Sequence, residues 1–277
     1  GDGTYTHRLL HTRGGNVYAG GMGRREKLDG TENNYEGINW RKLGNVKSTK
    51  LTITGGTIKS NVYGGGEYGA VRGNHMVDGV ALSTEVSISN ATIGTEIVDA
   101  EDKVQYTFGS VFGGGTGEVT DATITTSVAD AANVLAAFVT DSTRVTVTNA
   151  KVRGSVFGGA ELASVGGSTQ VTISGDDTEI GRNEVRPKDD PDNPGYVMFG
   201  GLRMGNVYGG GRGSDKSAVA GLVQGNTNVL IEGGHVYHNV YGGGALGSVG
   251  SFFVSGASDG GATPGNIPTG VPDRKSV

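Results

Sequence analysis

The chain has 277 residues, of which 53 are glycine, 6 proline and none cysteine, with 35% hydrophobic and 18% charged side chains. Glycine at that level without a Gly-X-Y period excludes collagen, and the recurring Val, Ile and Thr argue against a disordered low-complexity chain. A formal charge of −5 gives no basic footprint for nucleic acid. The absence of Cys removes disulfides and thiolate metal sites, and no run reaches the ~18 apolar residues needed to cross a membrane.

The first residues lack the charged, apolar, small-residue order of a signal peptide, and a start at Gly1 reads as a mature or excised piece. The first strong element is Asn16-Val17-Tyr18-Ala-Gly-Gly. An insertion at 19–48 follows, holding the only tryptophan, Trp40. Thr49-Leu51-Ile53 then alternates with period two, the mark of a half-buried strand. A Gly55-Gly56 turn and a short strand ending at Ile58 lead to NVYGGG at Asn61. The same order returns as Thr84-Val86-Ile88, a strand ending at Ile93, an insertion at 94–108 and SVFGGG at Ser110. Residues 116–142 form a further insertion whose apolar stretch Val128 to Val139 suits a short helix. Thr143-Val145-Val147, a strand to Val152 and SVFGGA at Ser155 follow, then Thr169-Val171-Ile173 and a strand to Ile180. After the polar loop 181–203 come NVYGGG at Asn206, Thr227-Val229-Ile231, a strand to Val236 and NVYGGG at Asn239.

The shortest complete repeat, Thr143 to Thr169, spans 26 residues. That is one rung of a parallel β-helix and too short for a propeller blade of ~40–50 residues. The expected fold is therefore all-β: a single-stranded, right-handed parallel β-helix (β-solenoid) of about six rungs with inserted loops. Rungs ~4.8 Å apart make a rod ~30 Å long. The helix domain is expected over 1–256, and 257–277 as a Gly/Pro-rich tail or linker.

TxVxI, a GG turn, GNVYGGG and GxVxG together resemble the glycine-rich repeats of large surface and adhesin-like proteins of Bacteroidota-type gut bacteria. The likeness covers about residues 14 to 250. It implies a secreted or cell-surface protein, without assigning any residue a role. The rung pattern is also similar in architecture to the pectate-lyase-like β-helices, which include polysaccharide lyases, glycosidases, adhesins and phage tailspikes. Shared fold does not carry activity.

Candidate sites are few. The aromatic positions Tyr18, Tyr63, Phe112, Phe157, Tyr208 and Tyr241 form either a sugar-binding stripe or a structural stack, with Trp40 a further binding candidate. Phe stands for Tyr in the middle copies, which reads as a hydroxyl that is not needed. Asn16, Asn61, Ser110, Ser155, Asn206 and Asn239 read as a hydrogen-bonding column. Asp176 and Asp177 are the candidate acids for glycoside or polysaccharide cleavage, against a plain turn after Gly175. Asp189, Asp190 and Asp192 offer oxygen ligands for calcium, without the spacing of an EF-hand. No cofactor motif is present.

The leading expectation is a non-enzymatic structural or adhesin-like segment at the outer surface of a bacterium, presenting loops to a glycan or host protein. A polysaccharide lyase or glycoside hydrolase is the alternative, and a phage or fimbrial fibre module the third. Open strand edges also predict end-to-end self-association.

Overall fold

The computed structural model describes residues 15–23, 43–98, 104–107, 109–117, 136–182, 204–214, 219–250, 253–255 and 262–264. Among these the chain is all-β, without a helix. Successive repeats supply strands to three parallel sheets, the first with six and the other two with five each along their main path, an arrangement consistent with a parallel β-helix.

The first sheet contains Val17–Tyr18, Val62–Tyr63, Val111–Phe112, Val156–Phe157, Val207–Tyr208 and Val240–Tyr241, hydrogen-bonded in that order with Val on Val and ring on ring. The second contains Thr49–Ile53, Val80–Ser89, Ser142–Thr148, Thr169–Ser174 and Thr227–Ile231. The third contains Gly56–Ile58, Ala91–Ile93, Lys151–Val152, Glu179–Ile180 and His235–Val236. Every strand expected from the motifs is present.

A fourth line of contact joins the repeats. Val46, Val71, Val139, Val165, Val223 and Val249 pair in succession through single parallel bridges. These valines pack with Ala137, Ala160 and Ala163 in a small core of their own. The repeats are thus joined by a line of single bridges as well as by the three sheets. The helix expected over 128–139 falls mostly outside the described residues. Its described end is a turn with Ala137 at φ 58 and a β-bridge at Val139, because the valine ladder claims that segment. The boundary expected at 256/257 also lies outside the described residues.

Period-two alternation sets what is buried. The first-sheet Val62, Val111, Val156 and Val207, the second-sheet Val86, Ile88, Val145, Val147, Val171 and Ile173, and the third-sheet Ile93, Val152 and Ile180 share one core. Each such side chain contributes roughly 1.5–3 kcal/mol, an upper bound because unfolded chains are partly collapsed. The threonine opening each second-sheet motif fixes a corner of that core. Thr49, Thr84, Thr143, Thr169 and Thr227 donate to the carbonyls of Gly64, Gly113, Gly158, Gly209 and Gly242 at 2.5–2.6 Å. Thr at this position is therefore a cross-sheet tie as well as a strand former.

Insertions leave the repeats at a small set of places. Residues 24–42, 118–135 and 215–218 all interrupt the path from a glycine run to the valine ladder. The hairpin Glu96–Val98 with Val104–Thr107, and residues 183–203, interrupt the path from the third sheet to the first. A further hairpin pairs His75–Val77 with the start of Val80–Ser89.

Candidate functional site: the aromatic stack and its polar column

Parallel pairing in register puts the six rings one above another. Successive centroids lie 4.7–5.0 Å apart with interplanar angles of 6–8°. Tyr63, Phe112, Phe157 and Tyr208 are buried in this stack. Of the tyrosines expected as glycan-binding candidates, Tyr63 and Tyr208 thus have their ring faces covered by neighbouring rings. Tyr18 is half-buried at one end, and Tyr241 is 43% exposed at the other.

The residue two before each ring is coupled to it. Repeats with Tyr carry Asn, and repeats with Phe carry Ser. Asn61 and Asn239 donate Nδ2–H to Tyr63 and Tyr241 Oη at 3.0 Å, and Asn16 to Tyr18 at 3.4 Å. Where the ring lacks a hydroxyl, a long amide would have nothing to donate to, and Ser replaces it. The interchange of Phe and Tyr is therefore not free. Both versions do a second job: Asn16, Asn61, Ser110, Ser155 and Asn206 each accept a backbone N–H from the next repeat's Asn or Ser. We expect Asn61→Ser and Tyr63→Phe to show a coupling of ~1 kcal/mol in a double-mutant cycle read by denaturant midpoint. Strict additivity would contradict the pairing.

Four residues beyond each ring lies a second column: Met22, Glu67, Thr116, Glu161, Arg212 and Ala245. Backbone bonds stack it, from Glu67 N to Gly21 O, Thr116 N to Gly66 O, Glu161 N to Gly115 O and Arg212 N to Ala160 O. Glu161 is the pivot of this column. Tyr63 Oη donates to its Oε2 at 2.5 Å, and Arg212 Nη1 lies 3.1 Å from its Oε1. Side-chain exposures of 11% for Glu161 and 18% for Arg212 make this a largely desolvated pair. Phe112 and Phe157, which lie between Tyr63 and Tyr208 in the stack, bring no hydroxyl to this side.

Burial, then the charge of Glu161, holds the Tyr63 hydroxyl well above its ordinary range. Burial pushes Tyr18 up to about 12, and burial with the neighbouring Tyr241 does the same for Tyr208. Burial also raises the Glu67 carboxyl. The tyrosines have a consequence in alkali. An unfolded tyrosine ionises near pH 10.0, while the folded hydroxyls stay protonated to about 12. The stability these hydroxyls contribute is therefore complete below pH 10 and is lost as pH rises through about 12. Thermal midpoints by circular dichroism across this window should drop steadily; a flat profile would contradict the burial of these hydroxyls.

The remaining sequence candidates are not drawn together. Asp176 and Asp177 are exposed in the turn closed by Thr178 N to Gly175 O, at 3.1 Å, and no described cation pairs with them. Trp40, Asp189, Asp190 and Asp192 lie outside the described residues. Among the described residues no three His, Cys, Asp or Glu are placed to hold a metal ion. No described helix is long and apolar enough to cross a membrane. Glu161 and Arg212 escaped the sequence reading because their partners come from other repeats. The Asn–Tyr and Ser–Phe pairing was visible in the aligned motif copies. Compared with protein-family models, curated proteins and solved structures, the chain matches none.

Proposed function

We propose that the chain is a rigid, non-enzymatic segment of an extracellular or cell-surface bacterial protein. In this reading the three sheets close into a right-handed parallel β-helix of about six rungs. The insertions at its corners present binding surface to a glycan or a host protein. The observation that supports it is the pairing of polar groups within the ladders. The threonine column ties to glycine carbonyls, the Asn/Ser column to the next repeat, and Glu161 to Tyr63 and Arg212. These side chains are occupied in holding the stack, whereas the insertions are the parts that differ from repeat to repeat. Loops on a rigid scaffold are where recognition is commonly placed.

The test is a panel of plant, host and bacterial polysaccharides and host glycoproteins. Capture should occur without new reducing ends or unsaturated products. Replacing 118–135 or 183–203 by a short Gly/Ser linker should abolish capture with the thermal midpoint unchanged. Cleavage of any polymer would instead favour the lyase or hydrolase reading and direct attention to Asp176 and Asp177.

A further inference from the structure

The last repeat keeps glycines that nothing in the described chain requires. A Cβ at Gly64, Gly113, Gly158 or Gly209 would strike the carbonyl oxygen of a glycine one repeat on. One at Gly65, Gly159 or Gly210 would lie 2.6–2.7 Å from a backbone nitrogen there. These glycines are needed because another backbone lies against them. At the equivalent Gly242 and Gly243 a Cβ would meet nothing within 4 Å, and neither residue has a positive φ.

The same edge carries unused hydrogen-bonding groups. Val17, Val62, Val111, Val156 and Val207 each donate N–H to the Asn or Ser carbonyl of the next repeat. Ala19, Gly64, Gly113, Gly158 and Gly209 donate likewise to the carbonyl of the next ring residue. Among the described residues none accepts from Val240 or Gly242. Nor does the Asn239 side chain receive the backbone N–H that its five counterparts receive. Val240 is 47% exposed where its buried counterparts are fully enclosed. At the opposite end the carbonyls of Asn16 and Tyr18 receive no N–H from a described residue. The two edges carry complementary donors and acceptors on the same Asn-Val-Tyr framework.

We propose that Asn239–Gly244 is a docking edge for Asn16–Gly21 of a second copy, which extends the first sheet and the aromatic stack across a head-to-tail contact. Val240 and Gly242 N–H donate to the second copy's Asn16 and Tyr18 carbonyls, Asn239 Oδ1 accepts from its Asn16 N–H, and Tyr18 stacks on Tyr241. The interface reproduces the contact already made five times inside the first sheet. It is confined to that sheet and the valine ladder, because among the described residues the sixth repeat adds no strand to the other two sheets. The two surfaces differ, so association is open-ended rather than closed into a symmetric dimer.

The test uses the full 277-residue chain in sedimentation velocity and light scattering over a rising concentration series. Weight-average mass should climb above that of one chain, and Gly242→Val and Gly243→Val should each hold it at one chain. Both variants should keep the thermal midpoint of the dilute protein, since their side chains enter open space. Three results would overturn the proposal: a constant single-chain mass for the parent, association undiminished in both variants, or a fall in the dilute midpoint of the variants. Glycan capture by the loops does not depend on this edge, so failure here leaves that reading standing.

Discussion

Gly158→Ala is expected to destabilise the chain by about 3 kcal/mol or more, at the upper end of overpacking substitutions. The new methyl group would collide with the carbonyl of Gly209 and lie 3.0 Å from both Cβ and Oγ1 of Thr169. No neighbour can give way cheaply. The Gly209 carbonyl is held by Thr169 Oγ1 at 2.5 Å, and the Thr169 backbone is paired on both sides. Neither obstacle is the free end of a flexible side chain. Denaturant midpoints by circular dichroism measure the effect, with Gly242→Ala as the matched control that should stay within about 0.5 kcal/mol of the parent. Equal losses at both positions would show that the cost comes from the glycine backbone itself and not from the packing of one repeat on the next.

The second large effect is expected at Glu161. Glu161→Ala removes the acceptor of Tyr63 Oη and leaves the Arg212 guanidinium largely buried without its carboxylate. Breaking one side of a buried pair costs about 3–5 kcal/mol, and the residual exposure of Arg212 places this case near the lower figure. Adding Arg212→Ala should recover part of the loss, because the guanidinium that has lost this carboxylate is then gone. Tyr63→Phe in the Glu161→Ala background should cost less than in the parent, because the hydroxyl has already lost that acceptor. If Glu161→Ala alone were nearly neutral, the cluster would be an incidental contact rather than part of what aligns the stack.

Much of the architecture is legible from side chains that repeat locally. Thr-x-aliphatic-x-aliphatic announces a strand because alternate residues must face one core, and the third-sheet strands end at the aliphatics read from the sequence, Ile58 and Ile93 among them. The valine ladder was harder to see. It uses one residue per repeat, so period-two alternation never develops, and all its valines but Val139 have glycine close by in sequence. The Asn–Tyr and Ser–Phe coupling is a relation between two columns and is missed when each is read alone. Glu161 is less accessible still, since Tyr63 and Arg212 are brought to it only by stacking of repeats. Local pattern reveals strands and faces, while contacts that run along the stack need the register.

The ladder of backbone bonds between repeats also sets how the chain should respond to force. Parallel strands joined in sequence order place the earliest and latest repeat strands at opposite ends of each of the three parallel sheets. Tension applied through the chain ends therefore loads the outermost repeat first and peels it before its neighbour carries load. Extension should proceed as a staircase of small events instead of one rupture. Each step length would be set by the number of residues in that repeat, with long steps where an insertion is carried and the shortest at the uninterrupted repeat between Thr143 and Thr169.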